Sequence, residues 1–216
     1  MRRWAGALIF VATSICPALS GERGAEAGVF DFYVLSLSWS PSYCAAAGAD
    51  ANEEQCIATR PYSFVVHGLW PQYENGYPEF CRTRQPGRVP RKMVEAYRDL
   101  VPSAGLMGHQ WRKHGSCSGL DQGSYFALLR QAWERIKVPG DFSGLEEPRA
   151  VSPADVEEKF LAANPDLPAS GIAVTCDRRY LREVRICLTR DLEFRSCEEV
   201  DEDSCRKADV AMPPAR

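Results

Sequence analysis

The sequence predicts one disulfide-tied globular domain that mixes strands and helices. The 216 residues suit a single domain of ordinary size with its own core. Hydrophobic residues make up 45% of the chain and charged residues 25%, a globular rather than a disordered balance. Period-two apolar patterns dominate both ends of the chain, and helical spacing dominates its middle.

The first twenty residues form a unit of their own. Met1-Arg2-Arg3-Trp4 is basic, Ala5 to Leu19 is apolar but short for a membrane span, and Ala18-Leu19-Ser20 offers small residues for cleavage. This predicts a signal peptide over 1–20 and a secreted or periplasmic product with no membrane association; the alternative is an uncleaved anchor. Ile15 before Cys16 does not fit a lipidation site. Beyond Cys16 stand eight cysteines: Cys44, Cys56, Cys81, Cys117, Cys176, Cys187, Cys197 and Cys205. An even count behind a leader predicts four disulfides in an oxidising compartment, with about a hundred connectivities open. The chain has no Cys-x-x-Cys pair, which argues against a zinc ribbon or a thioredoxin-like centre. Formal charge is −3; without Arg2 and Arg3 the basic count falls from 26 to 24 against 29 acids, giving −5. Such a protein has no global attraction for polyanions, so nucleic-acid binding would need a local basic patch.

In order, residues 21–28 read as a flexible mature N-terminus, 29–208 as a single domain and 209–216 as a C-terminal tail. Tyr33, Leu35, Leu37 and Trp39 share one face of a strand whose other face carries Ser36 and Ser38. Tyr62 to His67 predicts a second strand, stopped by Gly68 and Pro71. A long loop with Arg82, Arg84 and Arg88 leads to a helix over Arg91–Leu100, closed by Pro102. Phe126, Leu129, Trp133 and Ile136 mark a helix over Ser124–Lys137. Ser152-Pro153-Ala154-Asp155 opens another, ended by Pro165. Ile172 and Val174, then Val184, Ile186 and Leu188, predict a hairpin turning at Asp177-Arg178-Arg179. Glu198 to Asp203 reads as a solvated acidic loop.

Chemistry concentrates on the three histidines, all within two short stretches. His67 ends the second strand. His109 and His114 lie in Gly108-His109-Gln110-Trp111-Arg112-Lys113-His114-Gly115-Ser116-Cys117. At roughly 100° per residue, a helix there gathers His109, Gln110, Lys113 and His114 on one side and can bury Trp111 on the other. Two imidazoles, one neutral and one protonated, can serve as general base and general acid, while Lys113 supplies fixed positive charge. Phosphoryl transfer would use all three. Lacking a Gly-rich phosphate loop or an evident carboxylate cluster for Mg²⁺, the chain favours a metal-free route. RNA fits that route, because its own 2′-hydroxyl can attack the adjacent phosphorus. A zinc site with three histidines is the alternative. The five-residue spacing of His109 and His114 departs from the i, i+4 pairing usual for helical zinc ligands.

Phe64-Val65-Val66-His67-Gly68-Leu69-Trp70-Pro71 and His109-Gln110-Trp111-Arg112-Lys113-His114-Gly115-Ser116-Cys117 resemble the two active-site segments of the ribonuclease T2 family. Leu37-Ser38-Trp39-Ser40-Pro41 and the later cysteines fit as well, so the resemblance runs from Asp31 to Cys205. It implies an α+β fold with a central antiparallel sheet flanked by helices. It also implies cofactor-free and metal-free cleavage of single-stranded RNA through a 2′,3′-cyclic phosphate. By position, His114 resembles the base, His67 the acid, Lys113 the group that steadies the charged phosphorane, and His109 a phosphate contact. The family pairing would join Cys44 with Cys56, Cys81 with Cys117, Cys176 with Cys205, and Cys187 with Cys197. A monomer is expected.

One position departs from the pattern. The family usually has glutamate where this chain has Gln110, and an amide supplies no charge and takes no proton. The expectation is an active enzyme with an altered pH profile. The rival is a catalytically weak or inactive secreted RNA-binding protein on the same fold. Trp70, Gln72 and Tyr73 are candidate base contacts. Arg82, Arg84, Arg88, Arg91 and Lys92 are a candidate track for the phosphate backbone.

Overall fold

The alternating strand near the start of the chain lies inside a four-stranded sheet. The computed structural model describes residues 21–57 and 61–215. The expected signal peptide over 1–20 lies outside the described residues. In chain order the main elements are β1 (Gly21–Arg23), β2 (Phe32–Trp39), α1 (Ser40–Ala47), α2 (Glu53–Cys56), β3 (Phe64–Gln72), β4 (Tyr77–Glu79), α3 (Arg91–Ala96), α4 (Ala104–Lys113), α5 (Gln122–Arg135), β5 (Arg149–Val151), α6 (Pro153–Ala163), β6 (Ile172–Cys176), β7 (Leu181–Leu188), α7 (Glu198–Glu202) and β8 (Val210–Met212). The central sheet runs β3-β2-β7-β6, every neighbour antiparallel. This is the expected α+β architecture.

The sheet has two unlike faces. Leu35, Leu37 and Trp39 of β2 join Phe64 and Val66 of β3 and Val184 and Ile186 of β7 on the first face. Trp111 of α4, Phe126 and Leu129 of α5 and Phe160 of α6 cover it. Burial of these apolar side chains is the main drive for this layering. The second face is apolar at one end, where Phe32, Val34, Ala173 and Val200 surround the Cys187–Cys197 disulfide. Further along, Ser36 and Ser38 of β2 pair with Arg185 and Glu183 of β7. That polar stretch underlies the functional cleft.

Several boundaries differ from the sequence reading. The segment 21–28 is built into the fold: β1 pairs in parallel with β4, Ala25 is buried, and Gly28 N–H donates to the Cys117 carbonyl at 2.9 Å. The 209–216 tail likewise contributes β8, which pairs with β5 and buries Val210 and Met212. The helix expected to reach Leu100 ends at Ala96, and the Leu100 carbonyl accepts the Val66 N–H at 2.9 Å. The later helix starts earlier, at Gln122, because Asp121 caps it by accepting the Ser124 N–H at 2.9 Å. The acidic run forms α7 rather than a loop, with Val200 buried beneath it. The hairpin turn is as expected, with Asp177 accepting the N–H groups of Arg179 and Tyr180, each at 2.7 Å.

The four disulfides are the four that the family resemblance implies. Cys81–Cys117 closes a separation of 36 residues and ties the end of the β4 loop to the turn after α4. On the loop-entropy model, replacing both cysteines by alanine should cost about 4 kcal/mol. Equilibrium unfolding in denaturant measures this, and a loss below about 1 kcal/mol would contradict it.

Candidate active site

His67 owes its position to an irregularity in strand pairing. From Phe32↔Gln72 to Ser36↔Gly68 the β2–β3 register is regular, and it resumes one residue out of step at Leu37↔Val66. His67 is the residue left over, the extra residue of a β-bulge. Bulges bend a strand and re-aim a side chain. β3 therefore does not stop at the histidine, as expected from Gly68 and Pro71, but continues to Gln72. After the bulge Leu69 returns to the core face and Trp70 reaches the cleft. The Tyr125 hydroxyl donates to the Leu69 carbonyl at 2.8 Å and pins this stretch from α5.

The second histidine stretch forms the end of α4. Ser103 caps the helix by accepting the Leu106 N–H at 3.2 Å. Trp111 sets its rotation: the indole is fully buried and donates to the Pro86 carbonyl at 2.8 Å. The opposite side presents His109, Gln110 and Lys113 to the cleft. His114 is the C-cap, with its N–H still bonded to the Gln110 carbonyl at 2.9 Å. Gln110 is only 3% exposed, and its Oε1 accepts the Trp70 Nε1–H at 2.8 Å. That bond crosses directly over Gly68. A Cβ at position 68 would lie 2.2 Å from Trp70 Nε1 and 2.3 Å from Gln110 Oε1, so the motif requires glycine there. Trp70 in turn stacks on the His114 ring, with centroids 5.1 Å apart.

The two catalytic candidates occupy opposite environments. Burial pushes the His114 imidazole well below its usual value of 6.5, and the positive charges of Lys113, His67 and His109 add to this. Its Nδ1 is buried without a hydrogen-bond partner among the described residues. His67 instead hydrogen-bonds through Nδ1 to Glu183 Oε1, which leaves Nε2 for a substrate. Burial alone would raise the Glu183 pKa, but His67 and Arg185 outweigh it and hold the carboxyl at about 2. His109 is also lowered, by burial first and then by Lys113, Arg112 and His67. Lys113 Nζ lies 3.6 Å from Glu79 Oε2.

His67, His109, Gln110, Lys113 and His114 all line one cleft of about 240 Å³, together with Trp70 and Gln72. Tyr73 does not line it; its ring packs against the edge of the core, and burial followed by Glu22 raises its phenol pKa. Strand alternation ends at Gln72, so adjacency to the motif did not carry Tyr73 into the site. The basic stretch is absent from the cleft lining too, with Arg88 and Arg91 bordering a separate groove beside Arg98 and Arg112. Sequence reasoning missed Tyr77, Glu183, Arg185 and Asp203, all of which line the cleft. The available signal was the opposite charges at Glu183 and Arg185, on the face of β7 away from Val184 and Ile186. A second pocket of about 330 Å³ adjoins the first at His67, His109 and Glu183 and is bordered by Tyr43, Asn52, Leu106 and Arg182. Among the described residues no group of three or more His, Cys, Asp or Glu side chains is spaced to hold a metal ion. No helix among them is long and apolar enough to cross a membrane.

The Ribonuclease T2 family model matches residues 30–197. A ribonuclease of Aeromonas hydrophila is 39% identical over 181 residues, spanning 77% of this chain and 75% of the relative. The structure of an RNase-related protein from Calystegia sepium aligns with a TM-score of 0.69 and 19% identity, over 87% of this chain and 98% of its own. That of RNase NT in complex with 5′-AMP aligns with a TM-score of 0.62 and 20% identity, over 86% and 99%. These two structural likenesses bear on the fold alone.

An NMR titration of the ring resonances should find His114 still neutral at pH 6.5, taking up its proton only at lower pH. In the unfolded chain the same ring protonates first, so its burial lowers stability as pH falls below about 6.5. A His114 midpoint at or above 6.5 would contradict the burial argument.

Proposed function

The chain belongs to the ribonuclease T2 family and is an RNA-cleaving endoribonuclease, and we propose that it cuts single-stranded RNA without a metal, by transphosphorylation to 2′,3′-cyclic phosphate ends. In this reading His114 takes the proton of the 2′-hydroxyl as that oxygen bonds to phosphorus. His67 gives a proton to the 5′-oxygen as its bond to phosphorus breaks. Lys113 and His109 stand beside the non-bridging oxygens, whose charge grows in the transition state.

The observation that carries the reading is the contrast between the two imidazoles. A base must be neutral when substrate arrives and an acid must hold a proton, and sites that divide these roles place the two groups in unlike environments. Buried, stacked His114 suits the first role. Carboxylate-paired His67 suits the second. The two pockets that meet at His67 and His109 supply room for a nucleotide on either side of the scissile phosphate. Gln72 remains a base-contact candidate. Trp70, engaged by Gln110, His114 and the Arg185 guanidinium 5.5 Å from its ring, acts as the scaffold of the base histidine.

Gln110 does not weaken this account, because its amide oxygen does the structural work of holding Trp70. Four disulfides need an oxidising compartment, which supports a secreted or periplasmic site of action.

Digestion of single-stranded RNA in excess EDTA should proceed undiminished and yield 2′,3′-cyclic phosphate ends, while DNA of the same sequence survives for want of a 2′-hydroxyl. Loss of cleavage in EDTA would refute the metal-free route, and cleavage of the DNA would refute attack by the 2′-hydroxyl.

A further inference from the structure

We propose that Glu183 is a positioning residue for His67, fixing its ring and supplying from β7 the negative charge that an amide at position 110 does not; this rests on the reading of His67 as the acid. The geometry is a chain of contacts. Glu183 Oε1 accepts from His67 Nδ1, Glu183 Oε2 accepts from Arg185 Nε at 3.0 Å, and Arg185 Nη1 donates to Asp203 Oδ2 at 3.2 Å. With both oxygens engaged, the carboxylate cannot rotate away, and the bond to Nδ1 fixes which imidazole nitrogen faces the leaving group. Glu183 is held rigidly because β7 is an inner strand, paired to β2 on one side and β6 on the other.

The surrounding charges give that carboxylate its purpose. His67 is faced by Glu183, Arg182 and Arg185 from β7, by His109, Lys113 and His114 from α4 and its cap, and by Asp203 beyond α7. The fixed charges balance, with Arg182, Arg185 and Lys113 set against Glu183, Asp203 and Glu79. Glu79 is committed to Lys113 on the opposite wall and Asp203 to Arg185, so Glu183 is the carboxylate in contact with a histidine. A carboxylate only 9% exposed is costly to keep, and a purely structural strut could be an amide or an apolar side chain. Its Oε1 accepts the Nδ1–H, so Nε2 is the nitrogen turned to the leaving group, where an acid must present its proton.

Glu183→Gln tests this, because the amide keeps the size and can still accept from Nδ1 while the charge is lost. Cleavage of a dinucleotide substrate should show kcat down by about 10- to 100-fold with KM little changed. In a His67→Ala background the same substitution should cost nothing further. Should the Gln variant fail to fold, Glu183→Asp, which keeps the charge one methylene back, should give a smaller loss of kcat, again with KM little changed. Wild-type kcat in Glu183→Gln, with His67→Ala inactive, would overturn this inference alone. A further loss from Glu183→Gln in the His67→Ala background would also overturn it. Near-normal turnover in His67→Ala would overturn both this inference and the acid assignment beneath it.

Discussion

The pairing of β2 with β3 carries one residue too many on the β3 side, and that residue is His67. Without the bulge, strict alternation from Phe64 and Val66 would carry Gly68 and Trp70 to the core face. With it, Leu69 returns to the core and Trp70 reaches the cleft that His67 lines. The Trp70 indole can then meet Gln110 of α4 and stack on His114. The glycine at 68 leaves room for that bond, and the Cys81–Cys117 disulfide binds the far end of α4 to the loop beyond β4. Strand and helix are thereby registered to one another by a few short-range contacts around a single extra residue.

That registration sets the electrostatics. The cleft sets Lys113 and Arg185 against Glu183 and Asp203, and each histidine meets these charges differently. His114 is buried against Trp70 and loses its proton readily, as desolvation and its cationic neighbours both demand. His67 lies beside a buried carboxylate whose ionisation it helps to secure. Residues so close in space differ because one is the cap of a helix packed on the core and the other hangs from a bulge over the polar side of the sheet. The same face of β2 and β7 that is apolar around Phe32 and Cys187 becomes polar at Ser36, Ser38, Glu183 and Arg185.

The helical face of α4 was legible because its information is local: spacing alone brings His109, Gln110 and Lys113 together and turns Trp111 inward. The buried faces of β2 and β7 were legible for the same reason. What depended on distant partners was not. Gly21–Arg23 and Val210–Met212 are strands only because β4 and β5 offer edges to them, and no three-residue pattern announces that. α3 ends at Ala96, and Leu100 lends its carbonyl to Val66 of β3, a partner that only the fold supplies. Glu183 could be seen as a charge on a strand, but its meeting with His67 depends on the order β3-β2-β7, which the sequence does not state. The bulge was hidden too, since both Gly68 and Pro71 read as stops. The disulfide pairing came from family resemblance, not from spacing.

The central claim is that His67 and His114 divide acid and base between them, and leaving-group dependence tests it most directly. Steady-state cleavage would be compared for a dinucleotide, whose 5′-oxygen must be protonated to depart, and for an aryl ester of a nucleoside 3′-phosphate, whose phenolate departs without help. The account predicts that His67→Ala loses most of its activity on the dinucleotide, by about 10²- to 10⁴-fold, and recovers most of it on the aryl ester. His114→Ala should be impaired on both, since each still requires the 2′-hydroxyl to be deprotonated. Equal losses on the two substrates for His67→Ala, or recovery on the aryl ester for His114→Ala instead, would contradict it.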